Sequence, residues 1–317
     1  MSRKHAVIAF AAVLALVAGP FCAQAAEIYL DPATGKYPPG VTFAVAIRLD
    51  NQNQCVNAAE VDLSYPKNKL QAVAVSDGDS ILSIWVQPPA IYDNYGLVSF
   101  VGGLPGGYCG RVAGDPTLSN KLATVYFRFP TSTSAATVAQ IANLTFLSST
   151  RAILNDGEGT PAKLVTAGAS YSEILNGQYA PLDTWQNALA NDTTPPEAFS
   201  IGVYQDKSLF NDQWFAAFST SDKQTGVDHY EVAEVPIMSQ GLSESQWNWI
   251  RAVSPYLVKD QSLHSMIAVR AVDYAGNIRI EHYLPPQAAP PIKNNTIISF
   301  LYLAAIGILF VALLKFL

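Results

Sequence analysis

The chain has 317 residues, of which only 14% are charged, and 25 Asp and Glu outnumber 19 Lys and Arg to leave a formal net charge of -6. No Lys or Arg cluster appears anywhere, which argues against nucleic acid as a partner because a phosphate backbone selects a basic face. Between two apolar ends lie roughly 270 residues, enough for two domains of about 100 to 150 each.

At the N-terminus, Arg3 and Lys4 precede an apolar run from Ala6 to Ala18, and the run ends at Ala23, Gln24 and Ala25. This pattern predicts an export signal over residues 1–25, cleaved after Ala25. Pro20 interrupts the helix before the cleavage site, and the apolar run is too short to span a bilayer. Cys22 follows Phe21, where lipid attachment needs a small residue.

From Glu27 to about Ser172 the hydrophobic period is two. Val41, Phe43, Val45, Ile47 and Leu49 alternate with Thr42, Ala44, Ala46 and Arg48. Val61, Leu63 and Tyr65 alternate with Glu60, Asp62 and Ser64, and Val125, Phe127 and Phe129 with Thr124, Tyr126 and Arg128. Turn residues separate these runs at Asp77-Gly78-Asp79, Gly102 to Gly107 and Asn155-Asp156-Gly157. Many short alternating strands with Gly and Pro turns predict an all-β sandwich or barrel over residues 26–172.

The alternation lapses over residues 173–191, read as a linker, and Asp192-Thr193-Thr194-Pro195-Pro196 opens a second module over residues 192–286. The double proline favours extended backbone and removes two donors, which suits a domain entry. Trp214, Phe215 and Phe218 precede a turn at Ser221 to Gly226, Tyr230 and Val232 mark another strand, and Ile267, Val269 and Ala271 alternate towards a turn at Asp273 to Asn277. Residues 287–295 form a polar, Pro-rich stalk.

Thr296 to Leu314 contains 19 residues without a charge, about the length that crosses a hydrocarbon core of ~30 Å. The run is apolar all round, and only residues 315–317 follow to cover it. A single transmembrane helix over 296–314 is therefore expected, with the N-terminus outside and Lys315 in a short cytoplasmic tail. The expected location is the cell surface, as an exported single-pass membrane protein. No LPxTG motif precedes the helix to mark it as a sorting signal.

Cys55 and Cys109 remain after signal cleavage, in a compartment where thiols oxidise, so a disulfide is expected. Two thiols with no nearby histidine make a poor zinc site, since structural zinc takes four N or S ligands.

Other chemistry is sparse. His229, His264 and His282 are isolated, and neither a Gly-x-Ser-x-Gly nor a His-Glu-x-x-His motif exists. The chain reads as a binding protein rather than an enzyme. Asp77 with Asp79, and Asp156 with Glu158, put hard oxygens on glycine turns, as calcium prefers, but the turns do not match an EF-hand loop. Local capping of backbone N–H groups by these side chains explains them without an ion, so no cofactor is expected. Trp85, Tyr92, Tyr95 and Tyr108 lie beside Gly- and Pro-rich loops and are the candidate contacts for a protein or glycan, with core packing as the alternative for each. Sequons stand at Asn143, Asn191 and Asn294.

The order of segments in the first module resembles a cohesin domain. The segments are YLDPATGKYPPGVTFAVAIRLD (Tyr29 to Asp50), CVNAAEVDLSYPKNKLQAVAV (Cys55 to Val75), DGDSILSIW (Asp77 to Trp85), VSFVGGLPGGYCG (Val98 to Gly110), LATVYFRF (Leu122 to Phe129) and ILNDGEGT (Ile153 to Thr160). The resemblance implies a jelly-roll sandwich akin to carbohydrate-binding modules, and a docking receptor for a dockerin-like protein module or a polysaccharide binder. The second module is similar to bacterial Ig-like or fibronectin type III-like domains through TSDKQTGVDHYEVAE (Thr220 to Glu234), SPYLVKD (Ser254 to Asp260) and IAVRAVDYAGN (Ile267 to Asn277), which implies a spacer. Three roles follow as expectations: a membrane-anchored scaffold that docks a protein module, direct carbohydrate binding by the same head, or a structural envelope component. A sheet face of polar and small apolar groups favours protein docking, whereas coplanar Trp and Tyr favour sugar.

Overall fold

The computed structural model describes residues 25–110, 120–131, 139–174, 183–236 and 243–286. The predicted export signal (residues 1–24 of it) and the apolar run 296–314 lie outside the described residues, and among the described residues no helix is long and apolar enough to cross a membrane.

The period-two runs become strands whose apolar side faces inward. In β3 (Phe43–Asp50), Phe43, Val45, Ile47 and Leu49 are buried. The first module is two sheets. One is five-stranded, in the order β11 (Leu164–Ala167), β1 (Ala26–Asp31), β3, β8 (Lys121–Arg128), β5 (Gln71–Ser76). The other is seven-stranded, in the order β2 (Thr34–Tyr37), β12 (Ala169–Glu173), β9 (Ile141–Phe146), β4 (Val56–Ser64), β7 (Leu97–Tyr108), β6 (Ile84–Tyr92), with β10 (Arg151–Leu154) also pairing β4. All pairings are antiparallel except β1 with β11 and β2 with β12, so most neighbours need only short turns.

The inner faces share one core that includes Ile47, Leu63, Phe100, Phe127, Phe129 and Tyr171. Its rings supply large buried area: Phe43 stacks on Tyr37 at 3.7 Å and meets Tyr171 at 5.2 Å. The one polar atom Tyr171 brings inside is satisfied, since its hydroxyl donates to the Pro32 carbonyl at 2.6 Å.

The stretch read as a linker contains a helix, α1 (Thr184–Asn191). Asp183 caps it by accepting from the Gln186 amide at 3.0 Å, and the same carboxylate accepts from the Thr42 hydroxyl of the first module. Trp185 of α1 is buried against Tyr126, at 4.4 Å between rings, with Ala44, Val73 and Ala74 around it. These residues lie on the outer side of the five-stranded sheet. Tyr126 belongs to the polar-facing half of the alternation in β8, and the helix explains why it is nevertheless buried.

The second module is also two sheets: β13 (Gly202–Asp206), β14 (Leu209–Ala217), β17 (Tyr256–Leu257), and β16 (Ile250–Ala252), β15 (Val227–Pro236), β18 (Ser265–Asp273), β19 (Ile278–Tyr283). Ile201, Phe218, Val232, Val258, Ile267 and Val269 are among its core. A second cluster forms on Ala233, Val235 and Ala268, against which Trp247 and Trp249 pack. The module touches the first at Tyr274, whose ring meets Trp185 edge-on at 5.3 Å.

Cys55 and Cys109 are bonded, just before β4 and just after β7, where Val56 pairs Tyr108. The bridge closes a loop with a sequence separation of 54. Replacing both cysteines by serine is expected to lower the unfolding free energy by about 4 kcal/mol in the chain-entropy account, read in urea as a lower midpoint with a steeper slope, because the unbridged denatured chain is more expanded.

Candidate functional site

The outward face of the seven-stranded sheet carries the candidate site. Alternation in β4 turns Val56, Ala59, Val61 and Leu63 inward and leaves Glu60, Asp62 and Ser64 outward. In β7, Val98 and Phe100 go inward while Ser99, Val101 and Gly103 face out. At the adjoining edge strand β6, Ile84 and Val86 are exposed, Val86 to 82%. Ala58, Val101, Gly103, Leu104 and Pro105 join these two side chains around an open groove of about 290 Å³.

Polar side chains flank this apolar strip and pair with one another. Arg151 bridges Glu60 at 2.6 Å, the Gln87 amide donates to Ser99 at 3.2 Å, and farther along β4 Ser149 donates to Asp62 at 2.5 Å. Exposed pairs of this kind contribute little stability, but they leave the flanks already hydrogen-bonded when an apolar surface approaches.

The candidate aromatics do not gather into one platform. Trp85 turns inward, edge-on to Phe100 at 5.9 Å, and its ring fills the space in which a Cβ on Gly102 would lie 2.8 Å away. Tyr92 is 40% exposed at the start of the hairpin to β7, and its hydroxyl accepts from Gln87 at 3.2 Å. Tyr95 projects from the hairpin tip, 80% exposed. Tyr108 lies at the far end of β7, half-buried against the core beside the disulfide.

The acidic candidates are separately engaged. Asp77 is buried at the contact between modules, where it accepts from the Val227 amide at 3.0 Å. Asp79 pairs with Lys121 at 3.7 Å. Asp156 accepts from the Glu158 amide at 2.9 Å in an exposed turn, and Glu158 is itself exposed.

A different acidic group was not anticipated: oxygens of Asp192, Asp222 and Asp273, all buried, lie within 4.8 Å of one another. Asp192 accepts from the Thr225 amide and hydroxyl, Asp222 from the Gln224 and Gly226 amides, and Asp273 from the Asn277 amide and side chain. Burial raises the Asp222 pKa, its backbone donors oppose the shift, and the neighbouring Asp192 and Asp273 add to it. These hard oxygens are the described donor set with the chemistry to hold a divalent cation. Each acid was legible as a turn residue, but the convergence of three turns separated by 30 and 51 positions had no signal in the sequence.

The histidines sit apart. His229 Nδ1 is 2.6 Å from Asp228, and the His282 ring meets Trp247 edge-on at 5.7 Å. His264 Nδ1 is 2.8 Å from the Ser262 hydroxyl, but Asp260 holds that same hydroxyl and the His264 amide rather than the far ring nitrogen. That order of contacts builds a turn, whereas a nucleophilic triad needs the acid to orient the base.

Trp85→Ala is expected to cost about 3 to 5 kcal/mol of stability, as removal of a packed aromatic does, while Tyr95→Ala stays within about 0.5 kcal/mol. Thermal unfolding of the two variants checks this, and equal melting temperatures would contradict the inward placement of Trp85.

No protein-family model matches the chain, and no curated protein matches it in sequence. Among solved structures it is similar to a non-cellulosomal cohesin from the hyperthermophilic archaeon Archaeoglobus fulgidus, at 18% identity and a TM-score of 0.36, over 48% of this chain and 92% of that one. It is similar to the Coh-OlpC-Doc435 type I cohesin–dockerin complex from Clostridium thermocellum at 13% identity and a TM-score of 0.36, over 48% and 96% of the two chains. The seventh ScaB type I cohesin from Pseudobacteroides cellulosolvens matches at 17% identity and a TM-score of 0.34, over 50% and 95%.

Proposed function

We propose that the protein is a cell-surface receptor whose first module docks a protein module on the outward face of the seven-stranded sheet. The observation that carries this reading is the contrast between the two outward faces. That of the five-stranded sheet carries α1, with Trp185 buried on it, whereas that of the seven-stranded sheet leaves Ile84 and Val86 exposed beside Ala58 and Val101. A narrow apolar strip with hydrogen-bonded flanks suits a partner that buries side chains, since apolar contact supplies the free energy of association and polar pairs set its register.

The same face supports protein over polysaccharide. Sugar recognition by stacking needs a row of exposed rings, and here Trp85 packs inward while Tyr92 and Tyr108 lie at opposite ends of β7. The cohesin-like order of segments in Tyr29 to Thr160 supports a dockerin-like partner. Export and anchoring rest on the sequence patterns of residues 1–25 and 296–314, and the second module would then act as a spacer between head and membrane.

The test is capture from total secreted and surface protein by the full chain, beside a polysaccharide array probed with the same material. A saturable protein partner is expected, with affinity reduced at least about tenfold by Val86→Asp at an unchanged melting temperature, because a charge within the strip must be desolvated unpaired. Glycan binding that Val86→Asp leaves intact would overturn the reading, as would protein capture insensitive to this substitution.

A further inference from the structure

Two modules joined by a connector ordinarily move against one another. Here separate fastenings cross the junction, and the first is the connector itself. At its start the Trp185 amide donates to the Thr42 hydroxyl at 3.0 Å and the Thr184 amide to the Thr42 carbonyl at 3.2 Å, which ties α1 to the first module. At its end Asp192 accepts from the Thr225 amide at 3.1 Å, the Asn277 side chain donates to the Asp192 carbonyl at 3.2 Å, and the Gln224 side chain donates to the Thr194 hydroxyl at 2.9 Å, which ties it to the second. Between these ties the chain is a helix, whose length is fixed.

The second fastening is the Trp185 ring, 4.4 Å from that of Tyr126 in the first module and 5.3 Å from that of Tyr274 in the second. The third is an interlock of two glycines. A Cβ on Gly78 of the first module would lie 2.4 Å from the Gln224 carbonyl oxygen, and a Cβ on Gly226 of the second would lie 2.4 Å from Asp77 Oδ1. The two backbones thus meet across a gap that only hydrogen can enter, and the Val227 amide closes it by donating to Asp77 Oδ1 at 3.0 Å. Gly226 also has φ +84°, whereas Gly78 lies outside the left-handed region, so at Gly78 the space alone requires glycine. The Tyr274 amide donates to the Gly226 carbonyl at 3.3 Å, which joins the turn that carries the ring to the turn that carries the glycine.

We propose that these fastenings make the two modules one rigid body, so that the second module is a strut rather than a hinged spacer. Rotation about any one fastening strains the other two. The long strands of the second module run away from the junction: β15 and β18 pair from Val227 and Asp273, beside the first module, to Pro236 and Ser265, about 25 Å further on. The chain leaves β19 towards that far end, where Tyr283 pairs Ile267. The outward face of the seven-stranded sheet is then held at one height and one attitude to the exit of the chain, and a partner seated on it is presented in one orientation. The strut rests on the junction alone, whether or not that face docks a protein.

Pulsed electron resonance between two nitroxides in the full chain measures this rigidity. The labels go on Asn68→Cys in the first module and Lys207→Cys in the second, both exposed positions, with the Cys55–Cys109 bridge intact and Cys22→Ser removing the remaining thiol. A single distance distribution is expected, no broader than that of a control pair within the first module, Asn68→Cys with Thr145→Cys. Gly78→Ala is expected to broaden the intermodule distribution at least about twofold, as a freed hinge does, while hydrogen-exchange protection of the Val125 and Val269 amides, one in each core, stays constant. Trp185→Leu, too short to span both rings, carries the same expectation. Gly157→Ala removes a glycine that has nothing within 4 Å of its Cβ position and should leave the width unchanged. An intermodule distribution broader than the control pair in the unsubstituted junction would overturn the strut, as would a width that neither Gly78→Ala nor Trp185→Leu alters.

Discussion

The burial of Trp185 on the outside of the five-stranded sheet organises the molecule. A sandwich module has two outward faces, and an indole wedged between Tyr126 of the first module and Tyr274 of the second commits one of them. Its helix is fixed at the start by Asp183, which bonds both the Gln186 amide and Thr42, so the ring cannot leave the sheet without breaking a cap. The face that remains open is therefore decided by a residue outside both sheets. An aromatic with apolar contacts on two sides also resists rotation of one module against the other.

Much of the fold was legible because period two is a strong signal. Phe43, Val45, Ile47 and Leu49 are buried as their alternation requires, and Cys55 and Cys109 are joined as expected. What was not legible came from contacts between segments. Tyr126 reads as a solvent-facing residue in LATVYFRF and is buried because α1 lies over it. The helix itself is only 8 residues long, too short to be stable alone, and it exists because the first module supplies a surface for Trp185. Trp85 was ambiguous for the same reason: a tryptophan beside a glycine-rich loop is an exposed contact or a packed ring depending on which glycine it meets, and here Gly102 leaves room for it.

Charge is distributed unevenly between the surface and the junction. On the open face the charged groups near the strip are neutralised locally, as in Arg151 with Glu60. At the junction the acids are buried together, with Asp77 on one module and Asp192, Asp222 and Asp273 on the other, and each accepts from a backbone amide. Backbone donors stabilise carboxylates without a mobile side chain, but they do not cancel the repulsion among them. The apolar clasp around Trp185 lies beside this acidic cluster and carries no charge of its own.

The edge of the open sheet narrows how a partner can be met there. β6 is the outermost strand beside β7, and an exposed edge ordinarily offers a row of amides and carbonyls to another chain. In β6, Pro88 and Pro89 remove two consecutive donors, and the pairing with β7 shifts register on both sides of Gln87. Strand addition at this edge is therefore interrupted along its middle. The side chains that survive as a continuous surface are those of the face, from Ile84 and Val86 across to Val101 and Ala58. A partner of the proposed kind seated on the sheet would meet these side chains rather than the backbone of β6, so shape and apolar contact would set its recognition, and substitutions of Ile84 or Val86 should matter more than changes confined to the β6 backbone.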